Sequence, residues 1–192
     1  ETLASNKNYK NLNDLYVVSA AEINKLSGLK NNKSLLSVVH KKNQKKESID
    51  FSNLIIALDS VNDPGNLGTI IRIADWFNIK SIICSKNTVD LYNSKVIQSS
   101  MGSFSRVDVF YDNLEDVLDS KDISVFGTST DGVDINKFEK PDKGIILFGS
   151  ESQGVSEHLK KYVDKWISIK KNGAAESLNV SVSVGIILHK LT

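Results

Sequence analysis

With 192 residues, 40% of them hydrophobic and 24% charged, the chain is long enough to bury one sizeable core, and its composition excludes a disordered, collagen-like or coiled-coil protein. The net charge is +1, and no apolar run approaches the roughly 18 residues that would span a bilayer, so no membrane partner is expected. A single cysteine, Cys84, excludes an internal disulfide framework, and no Cys/His cluster has zinc spacing; a metal-free protein of the reducing cytoplasm is expected.

The chain opens on Glu1 with neither a Met nor a charged-then-apolar leader, so the expectation is a protein without a signal peptide whose natural start lies further upstream. Residues 1–50 carry a net +4 and the remainder −3, which makes the front the basic part. It offers a strand at Tyr16–Ser19, a helix at Ala20–Leu26 and a strand at Leu35–Val39, too little to fold well alone. Residues 1–45 therefore read as part of an appended domain. The polar stretch 41–53 follows, with 46–53 as linker. Lys41, Lys42, Lys45 and Lys46 share one hexapeptide that suits either phosphate attraction or a solvated linker.

From Leu54 onward, apolar runs alternate with helical patterns. The strands predicted are Leu54–Leu58, Ser81–Cys84, Val107–Phe110, Ser124–Thr128, Ile145–Phe148 and Trp166–Ile169; the helices are Leu67–Phe77, Lys95–Met101, Leu114–Leu118 and Glu157–Tyr162. Continuous runs such as Leu54-Ile55-Ile56-Ala57-Leu58 suit strands covered on both faces, hence a mostly parallel sheet between helices. Such sheets bind ligands beyond the carboxyl ends of their strands, which directs attention to the loops after Leu58, Phe126, Phe148 and Ile169. Nucleotide and hydrolase signatures fail there. Residues 63–68 lack the G-x-G-x-x-G spacing, no G-x-x-x-x-G-K-[ST] occurs, and Glu151 fills the Ser position of a nucleophile elbow. His40, His158 and His189 lie outside these loops, so a hydrolase triad is not expected.

Three loops carry information. In the first, running from Asn62 to Arg72, Pro64 and Gly65 make a turn and Asn66 is suited to cap the following helix. Arg72, one of two arginines beside 22 lysines, sits among Ile70, Ile71, Ile73 and Ala74 and needs an acceptor. A phosphate or carboxylate ligand fits its fork, and so does an ion pair with Asp75 or a carboxylate elsewhere in the fold. The second loop, Gly149 to Gly154, has glycines at both ends, as a close ligand or an ordinary turn would require. The third, Ile169 to Ile186, is divided. Val180, Val182 and Val184 alternate with serines as in a strand, yet Ser177 could equally start a helix that runs to His189.

In this order the three loops resemble the SpoU (TrmH) family of RNA ribose 2′-O-methyltransferases, within the SPOUT superfamily. The matching runs are Asp63-Pro64-Gly65-Asn66-Leu67-Gly68 through Arg72, Gly149-Ser150-Glu151 through Gly154, and Glu176-Ser177-Leu178-Asn179-Val180-Ser181. The match extends from Leu54 to the C-terminus, and the front resembles the latter half of a small substrate-binding domain that many members carry. Asp63 stands in place of the commoner Asn, and Lys170 where a Pro is usual.

The resemblance implies a six-stranded parallel sheet with helices on both faces, a C-terminal deep trefoil knot, and a helix for the third loop. It also implies a homodimer through the knot region, S-adenosylmethionine as cofactor and RNA as substrate, ribosomal RNA being favoured over transfer RNA. By position, Thr128, Ser129, Gly149, Ile169 and Leu178 become cofactor contacts, and Arg72, Asn66, Glu151, Ser177 and Asn179 the catalytic set. Arg72 and the four lysines of residues 41–46 become RNA contacts. A guanidinium, with its pKa above about 12, is a poor base, so Arg72 could take the 2′-hydroxyl proton, stabilise the developing alkoxide or hold the adjacent phosphate. Two competing readings are an RNA-binding protein that keeps the fold without catalysis and a generic doubly wound small-molecule enzyme. Failure to bind S-adenosylmethionine favours the first, and absence of RNA affinity the second.

Overall fold

The computed structural model describes residues 15–28, 35–42, 49–119 and 123–192, and the chain divides into two compact units, residues 1–42 and 43–192. In the first unit the only described element is helix α1 (Ala20–Leu26). Its start is fixed by a reciprocal cap: the Glu22 N–H donates to Ser19 Oγ (3.3 Å), and the Ser19 N–H donates to Glu22 Oε2 (2.8 Å). The strands expected at Tyr16–Ser19 and Leu35–Val39 are not formed. A strand needs a hydrogen-bonded neighbour and an apolar face to bury. Among the described residues neither segment is a strand of the sheet, and side chains such as Tyr16 (78% exposed) and Val38 (95% exposed) stay in solvent. Lys41 and Lys42 are exposed here, and Lys45 and Lys46 lie outside the described residues.

The second unit is the expected α/β sheet. Its strands are β1 (Leu54–Leu58), β2 (Ser81–Ser85), β3 (Asp108–Asp112), β4 (Val125–Asp134), β5 (Gly144–Phe148) and β6 (Lys165–Ser168). They lie in the order β3-β2-β1-β5-β4-β6, and every pairing is parallel. β1 and β5 are buried along their whole length, because the pleat sends alternate side chains into two separate cores. Leu54, Ile56 and Leu58 join α2 (Pro64–Trp76), α3 (Ser94–Ser99) and α6 (Val180–Leu191) on one face. Ile55 and Ala57 join α4 (Leu114–Asp119) and α5 (Glu157–Lys160) on the other.

The divided third loop resolves as helix α6: Val180, Val184, Ile187, Leu188 and Leu191 are buried at helical spacing, and the alternating Val182 is exposed. Helix α2 begins three residues earlier than expected. Its cap is Asp63 rather than Asn66: Asp63 Oδ1 accepts the Asn66 N–H (2.8 Å), and Pro64 occupies the first turn, where a missing N–H costs nothing. α2 lies close against α3 at Gly68, where a Cβ would stand 1.8 Å from Ser99 Oγ. β4 runs beyond its expected end because Thr128 and Val133 both pair with Ile167, which leaves residues 129–132 outside the ladder. Among the described residues no helix is long and apolar enough to cross a membrane.

Candidate active site

From β1 the chain steps outward to β2 and β3, then crosses to the other side of the sheet for β4, β5 and β6. A crevice beyond the carboxyl ends of the strands is expected where the order reverses in this way. A cavity of about 760 Å³ opens on the β5 side of that reversal, bounded by the ends of β4, β5 and β6 and by the segment that leads into α6.

The second loop is shaped by backbone closeness. Ser150 and Gly154 exchange two backbone hydrogen bonds (3.1 and 2.9 Å), and Gly154 adopts a left-handed φ of 67°. A Cβ on Gly149 would stand 1.9 Å from the Gly154 carbonyl carbon, so only glycine fits this position. Glu151 rides at the exposed crest of this turn.

Asn66, freed from capping, reaches the other two loops at once. Its Nδ2 donates to Glu151 Oε1, and its Oδ1 accepts from Asn179 Nδ2 (2.9 Å). The Asn179 amide is used at both ends, since its Oδ1 also caps α6 by accepting from the Ser181 N–H (2.9 Å) and the Ser181 hydroxyl (2.6 Å). Three segments that are remote in sequence are thus tied by three side chains.

Thr128, Ser129, Gly149, Ile169 and Leu178, expected to contact a cofactor, all line the cavity, together with Glu151 and Ser177 from the catalytic set. The Thr128 hydroxyl donates to the Leu147 carbonyl of β5 (3.1 Å), and Ser129 Oγ accepts the Asp131 N–H (3.0 Å). Asn66 and Asn179 are not lining residues and connect to the cavity through Glu151. Arg72 is also outside the lining, six residues beyond Asn66 on α2 and so about 9 Å along the helix axis. Its side chain is exposed rather than set in an apolar edge, because the 70, 71 and 74 positions of α2 face the core. The ion pair with Asp75 is not made. Asp75 Oδ2 instead accepts from Arg106 Nη2 (2.7 Å) and Nε (2.9 Å), and these bonds, with the Ser103 hydroxyl second, hold its carboxyl below the usual carboxylate range. Arg72 itself has no ion pair among the described residues.

Several lining residues went unnoticed in the sequence. In the sequence Lys170 stands out only as a departure from the family pattern, Lys171 only as a member of the third loop, and Trp166 only as part of a strand; all three line the cavity. Asp63 could have been found as the cap, since an acidic residue directly before a Pro is a helix-start signal. Among the described residues no group of three or more His, Cys, Asp and Glu side chains could hold a metal ion. Burial pushes the Cys84 thiol far above its ordinary range, which removes it as a nucleophile.

The lining combines apolar walls (Ile167, Ile169, Leu178), carboxylates (Asp131, Glu151, Glu176) and exposed backbone: among the described residues, 171–178 makes no backbone–backbone hydrogen bond. Such a donor set fits an adenosine-bearing, positively charged cofactor. Apolar walls would take the base, main-chain groups would read its edge, and acceptors would face hydroxyl and amino groups.

A doubly wound parallel sheet with a cavity at its carboxyl edge, tied by two asparagines and a glutamate, defines an α/β ligand-binding fold of the nucleoside-cofactor type. Residues 53–189 match the model of the SpoU rRNA Methylase family, and the chain belongs to that family. Among its relatives is a 23S rRNA guanosine 2′-O-methyltransferase of Bacillus subtilis, 31% identical over 150 residues that cover 76% of this chain and 60% of that protein. A protein of Borreliella burgdorferi described as an uncharacterized tRNA/rRNA methyltransferase is 30% identical over 210 aligned positions, covering 100% of this chain and 90% of that one. Among solved structures, an AdoMet-bound rRNA methyltransferase from Sinorhizobium meliloti superposes with a TM-score of 0.69 at 31% identity, over 74% of this chain and 56% of that one. The chain thus spans about 60% of the length of the Bacillus subtilis relative it matches.

Proposed function

We propose that the chain transfers a methyl group from S-adenosylmethionine to a ribose 2′-hydroxyl of RNA. The observation that carries this reading is the meeting of Asn66, Glu151 and Asn179 at the edge of a cavity suited to a nucleoside cofactor, in a chain of this family.

When bound, S-adenosylmethionine supplies an electrophilic sulfonium methyl group. The chain's own task is alignment, since in-line displacement gains most from positioning. In this reading Thr128, Ser129, Gly149, Ile169 and Leu178 hold the cofactor, and the unpaired main chain of residues 171–178 supplies most of the polar contacts. Asn66, Glu151, Ser177 and Asn179 fix the nucleotide and the loops. Arg72, exposed and without a carboxylate partner among the described residues, is left with its full donor fork for an incoming phosphate or a developing alkoxide.

Ribosomal RNA is favoured over transfer RNA, supported by the 23S rRNA activity in the name of the Bacillus subtilis relative. The basic residues Lys41, Lys42, Lys45 and Lys46 add salt-dependent affinity within a front region, 1–45, that serves RNA binding and joins the catalytic domain, 54–192, through the linker 46–53. A C-terminal trefoil knot and a homodimer through it belong to the same reading. The exposure of Trp76 (84%) on α2 and of Val182 on α6 supports a partner surface on these helices. The expected compartment is the cytoplasm.

The test is transfer of tritium-labelled methyl from S-adenosylmethionine to total RNA, followed by nuclease digestion. The expected product is a 2′-O-methylated nucleoside from the ribosomal fraction. Label on a base rejects the ribose reading, and label confined to transfer RNA rejects the ribosomal one.

A further inference from the structure

We propose that Asp59, which lies outside all three loop motifs, is a positioning residue that holds the Gly149–Gly154 turn in its cofactor-binding shape by bonding to both ends of it. Asp59 follows the last residue of β1 and is 3% exposed, and a carboxylate so deeply buried persists only where donors meet it. Its backbone N–H donates to the Phe148 carbonyl (2.8 Å), immediately before the turn begins. Its Oδ2 accepts the Ser156 N–H (2.8 Å), two residues after the turn ends. One residue directly after the central strand therefore holds the entrance through its backbone and the exit through its side chain.

The grip is itself braced away from the cavity. Asp59 Oδ1 accepts the Ser60 hydroxyl (3.0 Å), and Ser60 is held at a left-handed φ of 59° by its N–H donating to Ser85 Oγ (2.8 Å). Ser85 in turn shares a hydrogen bond with Thr88 (3.1 Å). Asp59 does not line the cavity, so it acts through the turn and not on a ligand. Ser156 N-caps α5 without using its own side chain, and its N–H is directed to Asp59. Within the turn, the exchanged Ser150–Gly154 bonds fix only its internal shape, and Glu151 to Asn66 is the side-chain bond from its crest to the rest of the fold. Support of this kind behind the binding groups sets how well they are preorganised.

This inference rests on the proposed cofactor site, so its test has one arm that needs the cofactor and one that does not. In the full chain, Asp59→Ala is expected to weaken S-adenosylmethionine binding by about tenfold in calorimetry while leaving the KM for RNA within about twofold. Asp59→Asn, whose amide can serve both Ser156 and Ser60, should recover binding to within about threefold. Hydrogen exchange of the Gly154 and Ser156 amides should quicken by about tenfold in Asp59→Ala, with Ile56 in β1 unchanged. Should Asp59→Ala fail to fold, Ser156→Pro carries the test, because the Ser156 φ of −57° accepts proline, its hydroxyl makes no cap bond, and the bond removed is the one its N–H donates to Asp59; the same tenfold loss is expected. Wild-type affinity in both Asp59→Ala and Ser156→Pro overturns the proposal, as does equal exchange of these amides in wild type and Asp59→Ala. Wild-type protein that binds no S-adenosylmethionine overturns the cofactor reading alone, and the exchange measurement still decides the grip.

Discussion

At the carboxyl ends of β1 and β2, Asp59, Ser60, Ser85 and Thr88 close on one another, whereas beyond β4, β5 and β6 the same sheet opens onto a cavity of about 760 Å³. The two ends are built from similar small polar residues. The difference is where their hydrogen bonds go: inward on the closed side, and unspent on the open side, where, among the described residues, 171–178 makes no backbone–backbone hydrogen bond. A sheet edge becomes a binding site where the chain withholds its own partners.

The largest expected effect tests whether the open side needs more than its lining. Arg72→Ala should reduce methyl transfer by about a thousandfold, the upper range for losing one donor to transition-state charge, while S-adenosylmethionine affinity stays nearly intact. Turnover on labelled RNA, paired with calorimetry, reads both; near-normal turnover removes Arg72 from the catalytic set, and a matching loss of affinity would extend the cofactor site onto α2.

Gly149→Ala should come next. Its Cβ would overlap the Gly154 carbonyl carbon, so the turn must shift, and cofactor affinity should fall by about a hundredfold, equivalent to roughly 3 kcal/mol of overpacking. Unchanged affinity would mean that the turn is not part of the site. Smaller still is the tie between loops. Asn66→Ala and Asn179→Ala should each lower kcat/KM by about tenfold, and the double variant should fall short of their product because the two share one bond, a coupling of about 0.5–3 kcal/mol. Strict additivity would break the link between the first and third loops.

The smallest effect belongs to a region remote from the opening. Arg106→Ala removes the partner of Asp75, whose carboxyl is held below its usual range; Arg106 is exposed and Asp75 half-buried, so solvent screening keeps the effect on stability small. A depressed carboxyl pKa stabilises the fold above the unfolded value, near 4, and that contribution is lost as pH falls through the folded value. Urea melts should therefore separate wild type and Arg106→Ala at pH 7 and converge only as the pH falls below the folded value of the Asp75 carboxyl, with methyl transfer unaffected at neutral pH. A difference that persists at low pH would place its origin elsewhere.

What could be read in the sequence follows the range of the forces involved. Leu54-Ile55-Ile56-Ala57-Leu58 announces a strand covered on both sides because double burial leaves an unbroken apolar run, and the observed strand has those bounds. Val180-Ser181-Val182-Ser183-Val184 fits two periods equally well over five residues; burial of Ile187, Leu188 and Leu191 and the Asn179 cap make it helical, and these are tertiary facts. Tyr16–Ser19 and Leu35–Val39 have strand-like composition, but among the described residues neither belongs to the sheet, and composition does not supply a pairing strand. The three loop motifs were legible as patterns. Their meeting was not, since Asn66 stands 85 residues from Glu151 and 113 from Asn179. Asp59 gave no signal at all, because an aspartate at a strand end looks like a solvated turn until its burial is known.

The central claim is that the open side of the sheet holds the methyl donor. A crystal structure of the protein soaked with S-adenosylmethionine tests this most directly. Density for the cofactor is expected against Thr128, Gly149, Ile169 and Leu178. Density at the closed ends of β1 and β2, or none in the cavity at saturating cofactor, would contradict it.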